Sequence, residues 1–108
     1  HLTDKGYRIE AVNWRFGKGE IDIVAKDGDT LVFVEVKTRT SDFFGNPEVF
    51  VNARKQAQVI KTANAYIQQQ NAGCESRFDI ISIVMNKNRT EIEHIEDAFY
   101  PVAGKHSL

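Results

Sequence analysis

The sequence predicts a mixed α/β domain in which one central sheet, built in the order α-β-β-β-α-β-β, is flanked by helices. Three observations carry this. Glu20 to Lys26 alternates carboxylates with isoleucines, the period of two that marks a strand with unlike faces. Asp27-Gly28-Asp29 then offers a hairpin turn into LVFVEVK, the strongest strand of the chain. Finally, Ala53, Ala57, Ile60, Ala63 and Ile67 recur at helical spacing and form one apolar stripe, small enough to approach a sheet closely.

The remaining elements follow in order. His1 to Lys5 reads as the tail of a helix stopped by Gly6. Tyr7 to Phe16 is the first strand, and Gly17-Lys18-Gly19 the turn into the second. The third strand is Thr30 to Arg39, followed by a loop from Thr40 to Gly45. Asn46-Pro47-Glu48 opens the central helix, with a cap, a residue suited to the first turn and an acid at the positive end of the dipole. Gly73 closes it, and strands at Arg77 to Met85 and Thr90 to Ile95 complete the sheet around a turn from Asn86 to Arg89.

The 108 residues suit a single domain spanning 1–108, with 42% hydrophobic and 27% charged residues, as in ordinary globular chains. Cys74 is the only cysteine, so no intrachain disulfide forms and a reducing cytoplasm is the expected setting. No apolar run approaches the ~18 residues of a membrane span, and no signal peptide is visible. The formal net charge of -1 argues against a generally basic, nucleic-acid-coating protein. The charge is nevertheless uneven. Val49 to Cys74 holds Arg54, Lys55 and Lys61 with no acid, whereas the segment from Glu91 to Asp97 holds four acids, Glu91, Glu93, Glu96 and Asp97.

Strand alternation gathers the chemistry. Ile21, Ile23, Val32, Val34 and Val36 are expected on one face. Val24, Leu31 and Phe33 lie on the other, which turns polar at its far end with Glu20, Asp22, Glu35 and Lys37. A two-residue turn at Asp27-Gly28 would place Glu20 opposite Glu35. A Gly28-Asp29 turn, or a four-residue turn, would place Asp22 opposite Glu35. Facing carboxylates repel, and a divalent cation would explain them. Mg²⁺ takes oxygen ligands at ~2.1 Å, often one or two carboxylates with water and phosphate. Asp22 and Glu35 are the candidate ligands, the Val36 carbonyl a third oxygen, and Lys37 the group that prepares water or neutralises phosphate charge. The plain alternative is an ion pair between Glu35 and Lys37 at a solvated sheet end.

Several segments carry a resemblance. GEIDIVA (19–25), LVFVEVKTR (31–39), FGNPEVFV (44–51), RFDIISI (77–83) and IEHIEDAF (92–99) resemble the YraN-like family over almost the whole chain. That family looks like a member of the restriction-endonuclease-like superfamily, with its PD-(D/E)xK signature, and is similar to the archaeal Holliday-junction resolvases. The resemblance implies a restriction-endonuclease-like fold and a Mg²⁺- or Mn²⁺-dependent endonuclease acting on DNA, branched DNA by analogy with the resolvases, as a homodimer. Asp22 matches the metal-binding Asp, Glu35 the second acid and Lys37 the lysine. Glu20 belongs to the family pattern and is a further candidate at the metal. Lys55 matches a family lysine, and Gln56 sits where some superfamily members place a polar helix residue. Two features depart from the signature. Ile21 replaces the proline before the Asp, and the acid many members carry on the first helix would precede His1, with Asp4 a poor substitute.

Other residues are read both ways. Arg54, Lys55 and Lys61 contact phosphates or merely solvate a helix face. Arg39 and Arg77 border the cleft or form ion pairs. Phe43-Phe44-Gly45 stacks on an unpaired base or packs in the core. His94 has no zinc-ligand spacing around it and reads as structural, and Trp14 and Tyr66 as core or core edge. The rivals to a nuclease are a catalytically silent nucleic-acid-binding module and a structural or interaction domain of the same fold.

Overall fold

A computed structural model describes residues 2–39, 53–70, 73, 75–85 and 89–99, Arg39 by its backbone alone. After a 3-10 turn, Thr3–Lys5, come β1 (Arg8–Phe16), β2 (Gly19–Asp27), β3 (Thr30–Arg39), α1 (Ala53–Gln69), β4 (Ser76–Met85) and β5 (Thr90–Phe99). The strands form one five-stranded sheet in sequence order. Only β3 and β4 run parallel. A parallel pair needs a long crossover, which α1 supplies.

The expected succession of strands and central helix is present. The leading helical segment is one 3-10 turn, closed by Gly6 at φ 89. The restriction-endonuclease-like arrangement with flanking helices is narrower than what is seen, since the described residues include one α-helix, on one face of the sheet. That helix is not long and apolar enough to cross a membrane. The Thr40–Gly45 loop, the Asn46-Pro47-Glu48 cap, Phe43, Phe44 and Cys74 lie outside the described residues.

Two cores result. Under α1, Val24, Leu31, Phe33, Phe78 and Ile80 pack with Val59, Ala63 and Tyr66. On the opposite face, Ala25, Val32, Val34 and Ile81 pack with Leu2 and Tyr7. The second face is only partly covered, and a cavity of about 300 Å³ lies there among Ile9, Ile23, Val36, Ile81, Ile83 and Ile92.

Three expectations need correction. Ile21 belongs to the core under α1, not to the face of Ile23 and Val34. The alternation breaks between the paired positions Val12↔Ile23 and Trp14↔Ile21, where Asn13 adopts φ 53. Asparagine tolerates this left-handed conformation better than most residues, and both Trp14 and Ile21 turn towards the helix. Second, the helix buries Val59, Thr62, Ala63 and Tyr66, while Ala53 and Ala57 are exposed and Ile60 and Ile67 flank the core. The buried face is rotated because α1 seats against β2 at Gly19, where any Cβ would collide with the Thr62 hydroxyl group. Tyr66 can enter the core because its hydroxyl donates to Glu10 at 2.8 Å. Third, β5 continues past Ile95 to Phe99. A bulge between Ile80↔Ile95 and Phe78↔Phe99, with Asp97 at φ 54, lets the strand resume and stack Phe99 on Phe78 at 5.2 Å between centroids.

Candidate functional site

The β2–β3 hairpin sets the site. Asp27 pairs with Thr30 around a Gly28-Asp29 turn, and Gly28 takes φ 61, which a glycine adopts without penalty. The pairs run on through Val24↔Phe33 to Ile23↔Val34. Continuing that register sets Asp22 opposite Glu35, one of the two arrangements the sequence left open. At this point the Asp22 carboxylate takes over as acceptor, and the Val36 N–H donates to its Oδ2 at 2.8 Å. Asp22 therefore fastens itself to the peptide link between Glu35 and Val36, on the strand that carries the second acid.

Glu35 follows Leu31 and Phe33 on the face beneath α1 and is 2% exposed. Lys55, from the first turns of α1, reaches down to place Nζ 3.5 Å from Glu35 Oε1. Glu35 Oε2 is buried with no hydrogen-bond partner, the one such side-chain oxygen or nitrogen among the described residues. Burial first, and then the neighbouring Asp22 charge, push the Glu35 carboxyl up to about 7; Lys55 and Lys37 pull in the other direction. Asp22, Lys55 and Lys37 are thus all within electrostatic reach of Glu35. A buried carboxylate with one unsatisfied oxygen is costly. A proton would relieve it, and so would a cation that takes oxygen from both acids.

Asp22, Glu35 and Lys37 are therefore brought together, and Lys55, read from the sequence as a phosphate contact, joins them through Glu35. Its signals in the sequence were its match to a family lysine and its place on an acid-free helix; the phase of α1 over the sheet decides which of its cations points inward. Glu20 is drawn elsewhere, accepting from Arg15 Nε at 3.3 Å across the β1–β2 pair. Arg54 and Lys61 are exposed. Lys61 borders a cavity of about 140 Å³ with Lys18, Gln58 and Thr62, beside the Gly17–Gly19 turn. Gln56 is half-buried on α1. The Arg39 backbone ends β3 opposite Val84.

A metal at this point would find two carboxylates, not a cage, since no three His, Cys, Asp or Glu side chains converge among the described residues. Two carboxylates fit Mg²⁺ or Mn²⁺, which retain water and take up phosphate oxygens. The orphaned Oε2 fits a ligand oxygen, and the Val36 carbonyl belongs to the same strand segment.

On the opposite face, a second polar cluster was missed by sequence reasoning. Asp79 is fully buried. Its Oδ1 accepts from Arg77 Nε at 2.9 Å and from the Asp97 N–H at 3.1 Å, and its Oδ2 accepts from another Arg77 nitrogen at 3.0 Å. His94 Nε2 lies 2.6 Å from Oδ2, and Lys5 Nζ donates to the His94 Nδ1 at 2.7 Å. Arg77 also donates to the Tyr7 hydroxyl at 2.6 Å and faces Asp27 and Glu96. Arg77 is thus an ion-pairing residue, and His94 is held in a structural network. The available signal was an aspartate inside the isoleucine-rich strand RFDIISI, with an arginine two positions earlier on the same face.

Comparison with known proteins agrees with the shared segments. A UPF0102 protein of Christiangramia forsetii is 47% identical over 100 residues, covering 93% of this chain and 84% of the relative. One from Phocaeicola vulgatus is 46% identical over 101 residues, with 94% and 84% covered. Another from Geobacter metallireducens is 50% identical over 101 residues, with 92% and 82% covered. The family model for the uncharacterised protein family UPF0102 matches residues 1–83, a span holding Asp22, Glu35, Lys37 and Lys55, and the chain belongs to that family, the YraN-like proteins.

Proposed function

We propose that this protein is a metal-dependent endonuclease of the restriction-endonuclease-like, PD-(D/E)xK type that hydrolyses DNA phosphodiester bonds. The observation that carries the reading is the buried Glu35 carboxylate, with one oxygen lacking any partner, beside a second acid on the neighbouring strand. Asp22 and Glu35 would hold Mg²⁺ or Mn²⁺ with the Val36 carbonyl, and the ion would supply charge stabilisation at phosphorus and an activated water. Asp22 is oriented for this by the Val36 N–H, which fixes one oxygen and leaves the other for a ligand. Lys37, two residues beyond Glu35, would hold the attacking water or offset charge on the phosphate. The exposed Arg54 and Lys61, with Arg39 at the end of β3, are the proposed contacts to the DNA backbone, giving salt-sensitive binding. Branched DNA and a homodimer are the substrate and assembly that suit symmetric cutting of two strands.

The test is incubation with linear, flap and four-way DNA, with and without Mg²⁺ or Mn²⁺. Metal-dependent cleavage by the native protein and none by Asp22→Asn is the expected result. Asparagine retains an acceptor for the Val36 N–H, so the fold should survive. Equal cleavage by the variant would refute the mechanism. The rival with an observation behind it is a structural pair, since Lys55 already stands against Glu35. That reading expects no metal binding and no cleavage by either protein.

A further inference from the structure

Lys55 and the proposed metal are candidates for the same place. The ammonium group stands 3.5 Å from Glu35 Oε1, on a carboxylate otherwise sealed from water. A doubly charged ion held between Glu35 and Asp22 would come within a few ångströms of that ammonium. Like charges at such range in a poorly solvated site repel strongly. The two cannot both keep close contact with Glu35 without a penalty. The lysine has room to move, because its side chain is 35% exposed and its four-carbon stem is flexible.

We propose that Lys55 is a resident counter-cation, whose ammonium keeps the metal's place at Glu35 until the metal enters and displaces it towards solvent, where it meets the phosphate of the substrate. This rests on the reading of Asp22 and Glu35 as metal ligands and adds an exchange step to it. One lysine then does two jobs in sequence. In the metal-free protein it is the nearer of two lysines that offset the buried charge of Glu35, Lys37 contributing less. In the loaded protein the ion does that, and the lysine is released as a cation on the solvent side of Glu35. The step involves no bond making, only an exchange of one cation for another.

The arrangement predicts a reversal of the usual rule that removing a residue beside a ligand weakens the ligand. Lys55→Met keeps most of the stem and deletes the charge. Titrated calorimetrically with Mn²⁺ at pH 8, it should bind the ion about tenfold more tightly than the native chain, because no competitor has to be expelled. Without metal it should melt several degrees below the native protein, and saturating Mn²⁺ should close that gap. Lys55→Gln should behave alike, which guards against misfolding of one variant. Lys61→Met, which deletes an exposed charge on the same helix, should leave Mn²⁺ affinity within about twofold. Weaker or unchanged Mn²⁺ binding by both Lys55 variants would overturn the exchange while leaving the metal site standing. An equal gain in Lys61→Met would assign the effect to net charge and also overturn it. Absence of Mn²⁺ binding by the native protein would remove the metal site, and the exchange with it.

Discussion

Glu35 and Asp79 are both buried carboxylates on adjacent parallel strands, one step apart in register, since Val34 pairs with Asp79 and Glu35 with Ile80. They point to opposite faces of the sheet and are treated oppositely. Asp79 has every reason to stay where it is, with two arginine nitrogens, a histidine and a backbone N–H directed at its two oxygens. Glu35 has one lysine at 3.5 Å, a like charge nearby and an oxygen with nothing to bind. A completed network specifies structure, whereas an incomplete one stores a demand for a partner. The difference teaches where to look for function: burial of a charge is common to both regions, and only the lack of satisfaction separates them.

The sharpest way to break this comparison is to delete each acid. Asp79→Ala leaves Arg77, largely buried, without its main partner and removes the anchor of His94 and the Asp97 N–H. Breaking a buried pair by removing one member typically costs about 3–5 kcal/mol. Urea denaturation of the variant should show a loss of that size. Glu35→Gln should show no such loss in the absence of metal. If both variants lose stability equally, the two acids are alike and the distinction fails.

The next effect is a pH dependence of opposite sign to that of most native carboxylates. The ordinary glutamate value is 4.5, and burial with the Asp22 charge raises Glu35 to about 7. The folded state therefore holds this proton more firmly than the unfolded chain. Between those values the unfolded state binds fewer protons, so the Glu35 contribution to stability is full below pH 4.5 and is lost as pH rises through about 7. The whole span is on the order of 3 kcal/mol, at ~1.4 kcal/mol for each tenfold difference in proton affinity between the two states. Glu35→Gln should flatten this part of the profile and be more stable than the native protein at pH 8. Denaturation midpoints across pH 4 to 9, compared for the two proteins, measure it. A variant that is less stable at pH 8 would mean that Glu35 is fully compensated after all.

Much of this geometry was legible in the sequence. Period-two alternation and the Asp-Gly-Asp turn placed Asp22, Glu35 and Lys37 near one another, because a hairpin's register follows from its turn. The break in alternation at Asn13, which carries Ile21 to the helix side, was not legible, since it depends on one residue accepting a positive φ within a paired strand. Nor was the burial of Thr62 and Tyr66 in preference to Ala53 and Ala57. That choice is made by a glycine 43 positions away from Thr62, whose missing side chain lets the helix settle there. The same settling decides that Lys55, not Arg54 or Lys61, faces Glu35. Asp79 was hidden for a related reason: its partners Arg77, His94 and the Asp97 N–H come from two strands joined through a bulge, which no local pattern announces.

The smallest expected effect concerns Glu20, which sequence alternation placed on the face of Asp22 and which the family resemblance made a further candidate at the metal. The change of phase between Trp14↔Ile21 and Val12↔Ile23 turns Ile21 towards the helix and leaves its neighbour Glu20 with Arg15, an exposed partner 3.3 Å away. An exposed pair of this kind contributes about 0–1 kcal/mol and is screened by salt. Glu20→Gln should therefore change stability by less than about 1 kcal/mol, with the difference shrinking in high salt. It should leave Mn²⁺ affinity within about twofold, in contrast to Asp22→Asn, where deleting a carboxylate charge beside the ion should cost about tenfold or more. A large loss of metal binding in Glu20→Gln would show that the metal draws Glu20 round from Arg15. In that event the alternation read from the sequence would describe the loaded site better than the metal-free geometry does.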